Sequence, residues 1–240
     1  MIEQTEELVT KAGPMGVHIV RPDGDGPFPV VVYFHHGPGL DDGSKESMGW
    51  IAAWGYYVIS HDRYHRERPW MTRDNMTEEE GKRFFDILLG TTDDMVEDDL
   101  AAVLGYLEGD PAAGPAPMGC IGFCIGARSV LRTMANHNDL FKAGVGFHPS
   151  YTVTEDEDSP HLAIPEVEGS IYLGYGTEDT MQPASQQQPL IDIVEALEHG
   201  EVEIHEGADH GYSVPGGRFH QAAADLSYRK ARAVFERELD

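Results

Sequence analysis

The chain has 240 residues, 40% of them hydrophobic and 9% aromatic, with 17 Lys and Arg against 42 Asp and Glu for a formal charge of −25. That length supports one large core, the composition excludes a disordered chain, and no apolar run approaches the roughly 18 residues of a membrane-spanning helix. So acidic a surface repels nucleic acid and anionic lipid, so neither is an expected partner; it reads as a solvated, solubilising surface or as adaptation to high salt.

In chain order, the opening MIEQTEE is acidic, with neither a basic patch nor an apolar stretch behind it, which predicts no signal peptide and a cytoplasmic location. Short β-branched and aromatic runs then predict strands over 16–20, 30–34, 56–60, 118–122, 143–147, 170–175 and 201–205. Helical apolar spacing between most of them predicts helices over 45–54, 93–107, 127–135, 190–198 and 220–239. This alternation implies an α/β fold, a mainly parallel sheet with helices on both faces, and VVVYF and IYLGY lack the period-2 polarity of half-exposed strands. The longest break in the alternation, 61–90, is rich in Arg and aromatics and reads as a loop and short helix beside a pocket, or as a surface insertion. Residues 111–117 form a Pro-rich connection into a strand, and 154–160 an acidic surface loop. Strand-like runs continue on both sides of each, so the expectation is a single domain over 1–240.

The two cysteines, Cys120 and Cys124, are too few for a disulfide framework, which favours a reducing compartment. Cys120 falls inside a predicted strand and reads as core. Cys124 stands in GFCIGAR, between an apolar run and a helix-like segment, and G-x-C-x-G matches a strand–turn–helix nucleophile elbow with sulfur in place of oxygen. The sharp turn presses the flanking residues against strand and helix, which is why Gly122 and Gly126 suit it. The start of the following helix favours thiolate over thiol, while burial opposes it. A small buried hydrophobe is the plain alternative.

A nucleophile needs a base, and the base an orienting acid, here in the order nucleophile, acid, histidine. After SIYLGY comes GTED, offering Asp179 with Glu178 beside it; after VEIHE comes GADHGY, offering His210 with Asp209 beside it. Asp179 alone could be a turn residue and His210 is one of 12 histidines, but each lies just beyond a separate predicted strand and the three can converge. The oxyanion requires two N–H donors. Ile125, next to the nucleophile, supplies one, and Gly37 in the loop HHGPG the other, since Pro38 has no N–H.

In GFCIGAR, YGTED and GADHGY the chain resembles the dienelactone hydrolase family over nearly its whole length. The resemblance implies an α/β-hydrolase fold, with Cys124 as nucleophile, Asp179 as acid and His210 as base, hydrolysing a carboxylic ester or lactone of a small molecule through a thioester. In the best-known members a glutamate in the loop after the third strand helps control the thiol, and His36 stands in that place. Those members also bind a substrate carboxylate through arginines, one of them four residues beyond the catalytic histidine; here that position is Val214, with Arg218 further along. His36, Arg63, Tyr64, His148 and Tyr212 are the expected pocket walls. No cofactor is expected, and the chain is read as a monomer or homodimer. The competing readings are a non-catalytic small-molecule binding or redox-sensing protein on the same scaffold and a metal site on His35 and His36, His61 with His65, or His205 with His210. These histidines lack helical H-E-x-x-H spacing or a cysteine cluster, so no metal is the expectation.

Overall fold

The computed structural model describes residues 1–67 and 77–240. One sheet of eight strands runs through the molecule in the order β1-β2-β4-β3-β5-β6-β7-β8. Its members are β1 (Ile2–Thr10), β2 (Gly13–Arg21), β3 (Val30–Phe34), β4 (Tyr57–His61), β5 (Met118–Phe123), β6 (Phe141–Phe147), β7 (Ser170–Gly176) and β8 (Gly200–His205). Pairing is antiparallel from β1 to β2 and from β2 to β4. From β4 through β3 to β8 it is parallel throughout. This is the mostly parallel sheet with helices of the α/β-hydrolase fold.

The strands without polar alternation are those buried on both faces. Every residue of β3, β4, β5 and β7 is buried. Along β3, Val30, Val32 and Phe34 enter one apolar cluster with Val96, Leu100 and Val103 of α3 (Asp93–Gly109), Val130 and Met134 of α4 (Ile125–Asn136) and Leu190 of α5 (Gln188–Ala196). Val31 and Tyr33 point the other way, into a second cluster with Met48 and Ile51 of α1 (Asp42–Ala52) and Tyr228, Ala231 and Phe235 of α6 (Gln221–Leu239). Two helical layers thus bury opposite faces by the period-2 geometry of a strand.

Three features depart from the sequence expectation. The first predicted strand lengthens to Gly13–Arg21 and gains β1 as a hairpin partner, whose IEQTEELVT exposes polar groups on both faces and is held by its ladder to β2. After the acidic loop, Pro160–Glu166 forms a 3-10 turn. Within 61–90, the short helix is a thirteen-residue α2 (Glu78–Gly90), opened by a capping box in which Thr77 N donates to Glu80 at 2.8 Å and Glu80 N to Thr77 Oγ1 at 3.3 Å. The part of that segment from 68 to 76 lies outside the described residues. No helix among the described residues is long and apolar enough to cross a membrane.

Candidate active site

The carboxyl ends of the parallel strands bring together side chains remote in the chain, as open α/β sheets do. Cys124 follows β5 directly, with φ 56° and ψ −120°, and is the N-cap of α4. A non-glycine residue held there is strained, and the surroundings hold it: Cys124 N donates to Phe147 O at 3.0 Å, while Cys124 O accepts from Ala127 N and Ser150 N, each at 3.1 Å. The flanking glycines admit the close approach. A Cβ on Gly122 would lie 2.3 Å from Gly126 O, and one on Gly126 would lie 2.2 Å from Phe34 O. Arg128 of the same motif ties the new helix down, through Nε to Asp93 Oδ1 at 2.8 Å and Nη2 to Asp93 Oδ2 at 2.7 Å, with Nη1 on the Tyr151 carbonyl.

Asp179 lies three residues beyond β7 and is 4% exposed. Its Oδ1 accepts from Met181 N at 2.9 Å and Gln182 N at 2.8 Å, and its Oδ2 accepts from His210 Nδ1 at 2.7 Å. It is therefore both a turn residue and the partner of His210: the turn amides fix one oxygen and leave the other for the ring. Burial pushes this carboxyl up, but His210 and the two amides outweigh it and hold its pKa below the ordinary value. Glu178 is exposed, and Asp209 turns its Oδ1 to the amide of His210 at 2.7 Å, so neither competes for the ring.

With Nδ1 committed to Asp179, the ring presents Nε2, a buried atom with no formed hydrogen bond, on the Cys124 side of the site. Burial pushes the Cys124 thiol up, but the hydrogen-bonding influence and charge of His210 exceed it, and Ser150 Oγ at 3.4 Å and the Ile125 N–H act in the same direction, so the thiol sits well below its ordinary value. Reciprocally, burial pushes His210 down while Asp179 and Cys124 pull it well above. Thiolate and imidazolium stabilise one another. Cys120 has no such company: it is wholly buried and burial alone pushes its thiol up.

Cys124, His210, Gly37, His36 and His148 all line one cavity of about 520 Å³, walled also by Phe84, Phe85 and Leu88 of α2. His36 Nε2 bonds to Asp41 Oδ2 at 2.9 Å. His148, with φ 39°, lies edge-on to His210 at 4.9 Å between centroids, and its Nε2 meets Ser213 Oγ at 3.1 Å. Burial holds His148 far below its ordinary value, so the ring is neutral.

The other three expected wall residues are not on this cavity. Tyr212 is fully buried and turns inward, its hydroxyl 2.8 Å from Ser227 Oγ. Tyr64, 1% exposed, packs with Phe84, Leu88 and Ile125. Arg63, 6% exposed, lies beneath the site beside His35 and His61, with its guanidinium carbon 5.7 Å from the Tyr64 ring centroid. All three sit on loops leaving strand ends whose residues are buried in succession, Arg63 to His65 and Tyr212 to Val214, so position on the loop does not tell which side chain faces the cavity. Ser150, on the sulfur at 3.4 Å, is a site residue that the sequence does not reveal: it lies two residues beyond His148, and nothing in a lone serine marks it.

The remaining histidine pairs are engaged elsewhere. His65 Nε2 meets the buried Asp99 at 3.1 Å, and His205 Nε2 meets Ser227 Oγ at 2.7 Å. No group of three or more metal-ligating side chains is gathered among the described residues. A second cavity, of about 610 Å³, lies between α1 and α6 against Trp50, Trp54, Phe219 and Tyr228; neither Cys124 nor His210 lines it.

Comparison with known proteins gives the chain's relatives. A Synechocystis sp. protein named "Putative carboxymethylenebutenolidase" is 25% identical over 232 residues, covering 92% of this chain and 91% of its own. The Pseudomonas putida carboxymethylenebutenolidase is 23% identical over 214 residues, covering 89% and 85%. Among solved structures, a Klebsiella pneumoniae protein named "Putative Dienelactone Hydrolase" superposes with a TM-score of 0.85 at 20% identity over 98% of both chains, a likeness of fold. The model of the dienelactone hydrolase family matches residues 15–239, and the chain belongs to that family, as a hydrolase of esters or lactones.

Proposed function

We propose that the chain cleaves a carboxylic ester or lactone of a small molecule with Cys124 as nucleophile, His210 as base and then acid, and Asp179 as the group that orients His210. The observation that carries this is the His210 ring, held through Nδ1 by Asp179 at 2.7 Å while its Nε2 stays unbonded beside a thiol of lowered pKa. The Cys124 proton rests on His210 Nε2 in the ion pair, and the thiolate sulfur attacks the carbonyl carbon. The Ile125 and Gly37 N–H groups receive the oxyanion. Collapse breaks the C–O bond, and the leaving oxygen takes the proton from His210, leaving a thioester on Cys124. His210 then takes a proton from water, the hydroxide attacks the thioester, and the carboxylic acid leaves as the ion pair of thiolate and imidazolium is restored.

The test is turnover of 4-nitrophenyl butyrate by wild type and Cys124→Ala, with mass spectrometry of the protein during turnover. Loss of activity in the variant, with a butyryl adduct on wild-type Cys124 that decays, is the expected result. Undiminished turnover by Cys124→Ala would refute the nucleophile assignment, and an adduct that never decays would indicate a binder rather than a catalyst.

A further inference from the structure

We propose that the substrate of this site is an uncharged ester or lactone with an apolar acyl portion, and that one carrying a free carboxylate is discriminated against. The inference rests on the hydrolase reading above and names its substrate class. Phe84, Phe85 and Leu88 on one side and Met181 and Val214 on the other give the 520 Å³ cavity an apolar lining sized for a small molecule.

The charges around it disfavour an anion. Asp41 lines the cavity, and although burial pushes its carboxyl up, His36 at 2.9 Å and the Ser44 N–H at 2.8 Å overcome that and bring it to about 2, so it is anionic at neutral pH. Arg218 lies at the mouth with its side chain 54% exposed, 3.7 Å from the Asp209 carboxylate and 3.6 Å from Met181 sulfur. Both are weak, exposed contacts, so Arg218 is a solvated cation at the rim and not a buried receptor within the cavity. Arg66 is held in a two-pronged grip on Asp99, at 2.7 and 2.8 Å, and Arg63 lies off the cavity wall. Apart from the imidazolium that the thiolate neutralises, the described wall offers a carboxylate no uncommitted buried cation. An anionic substrate would lose its water for an apolar wall with Asp41 on it, and a chain of charge −25 repels it on approach.

The test compares 4-nitrophenyl butyrate with mono-4-nitrophenyl succinate, whose acyl chains differ by a terminal methyl against a carboxylate. Wild type is expected to favour the butyrate at least about tenfold in kcat/KM at moderate salt, and Asp41→Asn to narrow the ratio. Equal or faster turnover of the succinate monoester would overturn the proposal, and its selective loss in Arg218→Gln would identify Arg218 as a carboxylate receptor. The two readings fail separately. Activity that survives Cys124→Ala, or no acylation of Cys124 by either ester, defeats the hydrolase mechanism, whereas Cys124-dependent turnover without preference for the neutral ester defeats only the substrate class.

Discussion

Replacing His210 with asparagine removes the charge facing Cys124 while keeping an amide that can donate to Asp179. The wild-type thiol is lowered from 9.0 to about 6, a shift of about three units, which corresponds to roughly 4 kcal/mol favouring thiolate. Burial, the largest influence opposing ionisation, persists in the variant, so its thiol should titrate near or above the ordinary value. At pH 7 the thiolate fraction would fall from roughly nine-tenths to about one in a hundred. A single-pH alkylation rate would understate this, because a more basic thiolate is intrinsically more nucleophilic and recovers about half the loss on a logarithmic scale. The decisive assay is therefore the inflection of the pH–rate profile for iodoacetamide, or thiolate absorbance at 240 nm, with Cys124→Ala as blank to remove Cys120. The same ion pair predicts hydrolysis rising with pH near 6, as the lowered thiol ionises, and falling near 10, as the raised imidazolium loses its proton. A wild-type inflection near 9, or one unmoved in His210→Asn, would refute the reasoning.

Two further outcomes follow from neighbouring contacts. Ser150 Oγ, 3.4 Å from the sulfur, donates to the thiolate, so Ser150→Ala should raise the thiol pKa by about one unit; an unchanged inflection in the same titration would deny it that role. Asp99 is fully buried with Arg66 and His65 on its carboxylate, and Asp99→Ala, by orphaning a guanidinium, should cost about 3–5 kcal/mol in urea unfolding, a loss below about 1 kcal/mol contradicting this account.

The sequence carried the layered architecture well, because strands buried on both faces announce themselves as unbroken apolar runs: VVVYF and SIYLGY became β3 and most of β7. β1 was illegible for the opposite reason, since IEQTEELVT buries only Leu8 in the core and owes its existence chiefly to pairing with β2. The positions of Cys124, Asp179 and His210 just past strand ends could be read from turn residues following apolar runs. Side-chain direction could not. Tyr212 is two residues from His210, yet its ring goes into the core toward Ser227, and the loop that carries Arg63 sends it under the site rather than into it. Ser150 reaches the sulfur only because β6 runs parallel to β5, pairing Phe147 with Phe123, a register that no local pattern encodes.

The left-handed backbone at Cys124 also limits what chemistry this turn can host. With φ at 56°, a residue branched at its β-carbon is excluded by contact with its own main chain, whatever its reactivity. Threonine is barred by shape rather than by its hydroxyl. Serine, with one heavy atom on the same carbon, fits where cysteine does. Divergence at this position is thus confined to a short alphabet of compact side chains, in which a single-atom exchange of sulfur for oxygen alters the nucleophile and leaves the scaffold untouched.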